Sequence, residues 1–442
     1  MSGTGPLGGG RSGPHTTLTP HHRQPPAATH STPARAAPLT GPAVSRSSFD
    51  RLIGAHGDDA AGPLLICVAA IHGNERAGII AARRVLEALS ARRPPFRGRF
   101  VAFLGNRTAA EKGRRFQDFD LNRAWLPDRI ASLLARDPDA DRFVEDAEQR
   151  ALLAHLADEM NHRESPAFFV DLHTSSADGA PFVTVGDTLR NRLFARRLGL
   201  PMVLGLEEQI DGALLEYLNN HGHVTAGVEG GRHDDPRSVD HHEAVLWLAL
   251  LAAGHLSPSD VPQATACERV LAAATPGIPR LVEVRHRHSV GPGDHFVMQP
   301  GYRNFDAVPA GRVLAVDVRG EIRAREACRL LLPLYQNQGD DGFFTVRQIR
   351  PIWLRLSWLL RRIGVPAWVE STPGVRSDPE EPRTLRVNTR IARLVPLQVF
   401  HLLGYRKRRW DDHVLRVSRR DHDVLPGRPV NVRDLPKSRA GR

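Results

Sequence analysis

Cysteine is nearly missing from this chain of 442 residues: Cys67, Cys267 and Cys328 stand far apart, with no Cys-x-x-Cys pair among them. An odd and sparse set of thiols argues against a disulfide framework and fits a reducing, cytoplasmic setting. Lysine is just as scarce, occurring only at Lys112, Lys407 and Lys437, so the net charge of +11 is carried by arginine. Those arginines are spread through the chain. They read as a composition bias rather than as a face for nucleic acid, and no nucleic-acid partner is expected. The densest cluster, Arg406-Lys407-Arg408-Arg409, reads as a solvated tail. Long apolar runs are absent too. A membrane span needs roughly 18 to 20 such residues, and the nearest run, Ala244 to Ala253, falls short of that, so no membrane partner is expected. The N-terminus has no apolar core of a secretory signal.

What is present is ordinary for a globular protein: 41% hydrophobic and 25% charged residues, in a chain long enough for one large domain or two. Residues 1–46 hold Gly, Pro, Ser, Thr, His and Arg without one acidic residue, which reads as a disordered tail, the pair His21-His22 included. Over 47–260, short apolar runs alternate with helical patterns. Strands are expected at Leu64 to Ala70, Phe100 to Leu104, Phe168 to His173, Pro181 to Val185 and Val224 to Val228. Helices are expected at Ala77 to Leu89, Ala140 to Asn161, Leu189 to Leu198 and Arg237 to Ala253. That alternation means an α/β fold with a largely parallel sheet covered on both faces. From 276 to 350 the runs are short, alternating and broken by Gly and Pro, a smaller β-rich domain in which His286 and His288 read as surface histidines. The extension over 351–442 opens with one helix around Trp353 to Leu360 and carries no assigned role; it is a candidate for homo-oligomer or partner contacts.

Four segments carry the chemistry. His72-Gly73-Asn74-Glu75 stands where the chain leaves its first buried strand, and a tight turn there aims an imidazole and a carboxylate at one spot. Without a metal, Glu75 would serve as a cap for the following helix. Asp118 to Arg123 follows the next strand, with Arg114 and Arg115 just ahead. A third apolar run ends in Asp171-Leu172-His173, and a fourth in Glu229-Gly230-Gly231. Each polar group lies at the carboxyl end of an expected strand, the edge where ligands bind in open α/β sheets.

In this order and with these gaps, His72-Gly73-Asn74-Glu75, Asp120-Leu121-Asn122-Arg123, Asp171-Leu172-His173 and Glu229-Gly230 resemble the succinylglutamate desuccinylase and aspartoacylase family. These are zinc amidohydrolases with a fold related to the zinc carboxypeptidases. The resemblance spans about residues 60 to 255 and, more loosely, runs to about 350. It implies one Zn2+ per chain held by His72, Glu75 and His173. Two neutral donors and one carboxylate would leave that complex positive and able to acidify water. It implies Glu229 as the general base, kept accessible by two glycines, against the alternative of a carboxylate paired with arginine. It implies Arg115, eight residues before Arg123, as the cation that polarises the scissile carbonyl, and Asn122 and Arg123 as the pair that holds a substrate carboxylate. Tyr335 either corresponds to a pocket tyrosine of some members or packs as a strand-end core residue. Asp171 shares the face of His173 on an ideal strand, near the metal or paired with an arginine. His233 and Asp234-Asp235 follow the base without a role.

The expectation is a zinc-dependent hydrolase that cleaves an amide bond of N-acyl amino acids or related acyl amides by zinc-activated water, with a small acyl amino acid or short peptide as substrate. Its rivals are a carboxypeptidase-type metallopeptidase and a non-catalytic binding protein on the same fold. One departure bears on the substrate. Asn219, Asn220 and His221 occupy the stretch where the family has a further arginine for substrate carboxylates. Activity on acyl-aspartate or succinylglutamate therefore does not follow from the resemblance.

Overall fold

The chain enters its sheet by an edge strand, β1 (Leu52–His56), and reaches the centre with β2 (Leu64–Ala69), every residue of which is buried. Side chains alternate across a strand. Leu65 and Cys67 therefore pack into one core, while Leu64, Ile66 and Val68 pack into another on the opposite face. Burial on both sides is why β2 reads as an unbroken apolar run. Helix α1 (Ala77–Arg92) covers the first face with Ala77, Ala81, Val85 and Leu89, one stripe at helical spacing. Strand β3 (Arg99–Leu104) lies parallel to β2 and antiparallel to β1. This computed structural model describes residues 49–161, 163, 165–362, 373–379, 384–388, 400, 402–411 and 414–419. The expected tail over 1–46 and the side chains of Arg406 to Arg409 lie outside the described residues.

Helices α2 (Arg107–Lys112), α3 (Pro127–Ala135) and α4 (Val144–Met160) lead to β4 (Phe168–Ser175), which pairs in parallel with β2. Leu152, Leu153 and Leu156 of α4 close the second core. Next come β5 (Phe182–Val185), α5 (Leu189–Arg196), β6 (Met202–Leu204), α6 (Leu214–Asn220) and β7 (Val224–Arg232), the last parallel to β4. Helices α7 (Pro236–Ala253) and α8 (Ala264–Ala274) follow, then β8 (Leu281–Ser289). No helix among the described residues is long and apolar enough to cross a membrane.

Further strands are β9 (Val297–Met298), β10 (Ala307–Val308), β11 (Val313–Asp317), β12 (Gly320–Arg323), β13 (Cys328–Leu331) and β14 (Asp341–Gln348). The large sheet runs β1-β3-β2-β4-β7-β5-β6-β8-β14-β13-β10. Its centre is mostly parallel, with β5 turned antiparallel against β7, and its far end from β8 onward is antiparallel. The β-rich segment thus divides: β8, β14, β13 and β10 continue the central sheet, while β9, β11 and β12 form a small antiparallel sheet of their own. Beyond α9 (Pro351–Arg362), strands β15 (Val375–Ser377), β16 (Thr384–Asn388), β17 (Tyr405–Asp411) and β18 (Val414–Arg419) make a four-stranded antiparallel sheet. It has its own core, with Leu385, Phe400, Leu415 and Val417. The Arg-rich sequence there showed no pattern that announced it.

Two registers position the site. In β4, Val170 and Leu172 face the first core, so Asp171 and His173 face the other way. In β7, Val224, Ala226 and Val228 face the first core, so Glu229 joins them on the second side, directly across from His173 in the parallel ladder. Both strands run on past their expected ends, which leaves His173 and Glu229 inside strands rather than beyond them.

Candidate metal and active site

The turn after β2 is held by close contact. Ala70 adopts a left-handed φ of 54°, a conformation costly to an L-residue. Three residues on, a Cβ added to Gly73 would stand 2.1 Å from the carbonyl carbon of Ala109. Only glycine lets the turn press against α2, and the Gly73 N–H then donates to the Arg115 carbonyl at 3.0 Å. His72, Glu75 and the segment of Arg115 are thereby fixed to one another.

Glu75 lies between two imidazoles. Its Oε1 is 2.8 Å from His72 Nδ1 and its Oε2 is 3.1 Å from His173 Nδ1. The three groups offer ligand atoms that all lie within 4.8 Å of one another. Each ring gives its other nitrogen to a different carboxylate: His72 Nε2 to Asp120 at 3.1 Å, His173 Nε2 to Asp171 at 2.9 Å. A ring held by a carboxylate at one nitrogen has its tautomer set and its second nitrogen aimed, which is the outer support that metal-ligating histidines use. The donor set fits zinc, with two nitrogens and one carboxylate.

The charges follow from burial and neighbours. Burial opposes ionisation of Glu75, but the His72 and His173 imidazoles outweigh it and hold the carboxyl well below its ordinary value. Burial likewise opposes Asp120, and His72 and Arg115 overcome it. Glu229 behaves in the opposite way. Burial pushes its carboxyl up to about 7 against the pull of His173, and its Oε2 is buried without a hydrogen-bond partner. The Glu75 carboxylate is charged and held on both oxygens; that of Glu229 keeps one oxygen without a partner.

His72, Glu75, Arg115, Asn122, Arg123, His173 and Glu229 all line one cavity of about 130 Å³. Arg115 is anchored on Asp120 through Nε at 3.2 Å and Nη2 at 2.9 Å, with Nη1 3.5 Å from Glu75. Asn122 Oδ1 accepts from the Leu214 N–H at 2.9 Å, tying the motif to α6. Arg123 Nη2 meets Asp341 at 2.6 Å and Asp340 at 3.3 Å. Tyr335 is the residue that the structure leaves out. Leu334 and Gln336 line the cavity, but the Tyr335 hydroxyl donates to the Gln299 carbonyl at 2.7 Å and accepts from the Tyr302 N–H at 2.9 Å. The tyrosine side chain stands on the outer side of this loop, 38% exposed.

Other participants had weak signals or none. The Thr174 N–H donates to Glu75 Oε2 at 2.9 Å, and its hydroxyl meets His233 Nδ1 at 2.7 Å. His233 Nε2 reaches Gln336 Oε1 at 3.2 Å, which also accepts from Asn74 Nδ2 at 2.9 Å. His233 and Thr174 stand beside motif residues in the sequence, a clue by adjacency. Gln336 has no such clue. Beneath the floor, His242 of α7 bonds the His173 carbonyl at 2.9 Å through Nε2, and a Cβ on Gly230 would meet that nitrogen at 2.4 Å. The glycine after Glu229 thus lets a helix support the strand that bears His173.

Residues 61–243 match the family described as the succinylglutamate desuccinylase/aspartoacylase catalytic domain. No curated protein is a significant match. Among solved structures, a succinylglutamate desuccinylase/aspartoacylase from Rhodobacter sphaeroides is 17% identical over 66% of this chain and 87% of its own, with a TM-score of 0.48. The ectoine utilization protein EutE (DoeB) from Ruegeria pomeroyi is 19% identical over 66% and 87%, with a TM-score of 0.47. Murine aminoacylase 3 is 16% identical over 66% and 97%, with a TM-score of 0.42. Over residues 61–243, then, the likeness that the four ordered motifs point to is to the catalytic domain of the succinylglutamate desuccinylase/aspartoacylase family.

Proposed function

We propose that this protein is a zinc-dependent hydrolase that cleaves the amide bond of N-acyl amino acids or related acyl amides. The observation that carries this reading is the placement of the Glu229 carboxyl group, with its Oε2 buried and unpartnered, beside two histidines whose Nδ1 atoms converge on Glu75. His72, Glu75 and His173 would hold the cation, one per chain. When bound, zinc supplies Lewis acidity toward a carbonyl oxygen and lowers the pKa of water.

The chain's own residues account for the rest. Glu229 takes the proton from the attacking water and hands it to the departing amine. A carboxyl near 7 serves both directions at neutral pH, where one far below would hold the proton too weakly. Arg115, kept in place by Asp120, presents a fixed cation to the charge that develops on the carbonyl oxygen. Asn122 and Arg123 face the substrate's far end from the same cavity. The three free thiols support a cytoplasmic place for this chemistry.

The test joins metal analysis to a screen of acylated amino acids and short peptides. About one zinc per chain with amide cleavage of acyl amino acids is expected. Cleavage confined to peptides would make the protein a metallopeptidase, and neither metal nor cleavage would leave a binding protein.

A further inference from the structure

We propose that α9 lies flat on an anionic lipid bilayer, with its outer apolar face seated among the headgroups and its arginines on lipid phosphate. This contact belongs to the extension after residue 350 and is independent of the chemistry at Glu229.

The two faces of α9 are built differently. Leu354, Ser357 and Arg361, three and four residues apart, form the inner stripe. Leu354 packs on the first core, the Ser357 hydroxyl donates to the Leu402 carbonyl at 2.6 Å, and Arg361 Nη2 donates to Asp187 Oδ2 at 3.1 Å. Those contacts decide which side of the helix faces out. The outer stripe is Ile352, Arg355, Leu359 and Arg362, flanked by Trp353 and Trp358. Ile352, Trp353, Trp358 and Leu359 are 58, 48, 42 and 48% exposed. Four large apolar side chains on one short helix make a patch, and patches of that kind mark protein or membrane contacts.

The charge beside the patch has one sign. Neither α5 nor α9 contains an acidic residue. The groove between them, about 790 Å³, is lined by Leu193, Leu354 and Leu359 together with Arg196, Arg280 and Arg355, and no carboxylate lines it. Arg196 and Arg355 are exposed and have no ion-pair partner among the described residues. Arg362 stands over the Trp358 ring, 4.7 Å from its centroid. A basic amphipathic helix with tryptophan at its flanks suits the boundary between headgroups and acyl chains. The aliphatic arms of its arginines run along the apolar layer while the guanidinium groups meet phosphate. A second copy of the chain fits this face poorly. A two-fold contact sets a patch against itself, so Arg196, Arg355 and Arg362 would meet their own copies with no carboxylate in the groove to answer them. The expectation of no membrane partner rests on the want of a span, and a 12-residue helix lying along the surface needs none.

Cosedimentation of the full chain with vesicles tests this, comparing phosphatidylcholine alone with phosphatidylcholine plus phosphatidylglycerol. Binding to the anionic vesicles is expected, with little to the neutral ones and release at high salt. Arg355→Glu should weaken binding by about fivefold or more, since one arginine near an anionic surface contributes about that factor. The whole chain is basic, at +11, so the decisive variant keeps the charge. Trp353→Ser with Leu359→Ser should cost on the order of tenfold or more, while Val297→Ser, at an exposed apolar position of β9, should change nothing. All these side chains are exposed, so the variants should fold, and a melting curve checks this; if the double variant does not fold, Arg355→Glu decides. No binding to anionic vesicles would overturn the proposal. Unchanged binding by the folded double variant would also overturn it and place the lipid contact on another basic segment. A dimer seen by light scattering and dissolved by the double variant, without vesicle binding, would assign the face to a second copy instead.

Discussion

The cavity beside His72 measures about 130 Å³, whereas the groove between β8 and the β11–β12 hairpin measures about 950 Å³. The larger space also has chemically capable side chains: His286, His288, Cys328 and five arginines. Their arrangement differs. The rings of His286 and His288 are 6.4 Å apart, with His288 stacked on Phe343, and the pair Arg323–Glu321 is over half exposed on both sides. Exposed pairs of that kind contribute about 0 to 1 kcal/mol and hold nothing in place. In the smaller cavity, Glu75 and Asp171 are buried, Asp120 stands half-buried behind His72, and each has an imidazole as partner. Burying a charge is tolerable only when its partners are fixed. Volume says where a molecule fits; buried polar groups that converge say where chemistry is paid for.

The sharpest way to break this contrast is through the metal. His72→Ala or His173→Ala should lose most of the zinc and nearly all activity, while His286→Ala and His288→Ala should keep both. Elemental analysis of the four proteins decides it, and full zinc in all of them would end the ligand assignment. Next in size is Glu229→Gln, which should retain zinc and fold yet lose on the order of 10²- to 10⁴-fold in kcat. Unchanged kcat would make Glu229 structural. Arg115→Ala should lower kcat by about 10²- to 10³-fold through lost oxyanion stabilisation. If steady-state kinetics show the change in KM alone, Arg115 acts in ground-state binding instead.

The smallest effect concerns a histidine in neither cavity. Burial lowers His255 to about 4, with Nδ1 on the Arg97 carbonyl at 2.8 Å. An unfolded histidine titrates near 6.5, so between those values the unfolded chain binds the extra proton. The stability that His255 contributes is present above pH 6.5 and is lost as pH falls toward 4, by about 3 kcal/mol in all. Urea unfolding of wild type and His255→Gln at pH 7 and pH 4.5 should show the variant losing less on acidification. Equal losses would mean that the histidine is accommodated as a cation.

Much of this was legible locally. Short apolar runs mark β2, β4 and β7, and helical spacing marks α1 and α7, because burial writes itself into neighbouring positions. The four motifs are legible for a related reason: each sits on a strand or turn whose geometry is local, as with His72 and Glu75 on either side of Gly73. The edge strand β1 and the sheet β15–β18 escaped because partly exposed strands carry a fainter alternation. For Tyr335 the sequence left two places open, because only packing chooses which side chains of a loop meet the cavity.

By itself, the sequence determined which residues alternate, where turns must close, and that His72, Glu75, His173 and Glu229 stand at strands and turns able to present them. The tertiary structure decided what those groups meet. It set His173 across from Glu229 in one ladder, gave Asp120 and Asp171 to the two imidazoles, and left one oxygen of Glu229 unanswered. It also brought Asp340 and Asp341 against Arg123 from more than 200 positions along the chain. Periodicity is a property of neighbours in sequence, and it reports burial. Charge compensation is a property of neighbours in space, and it exists only once the chain has closed.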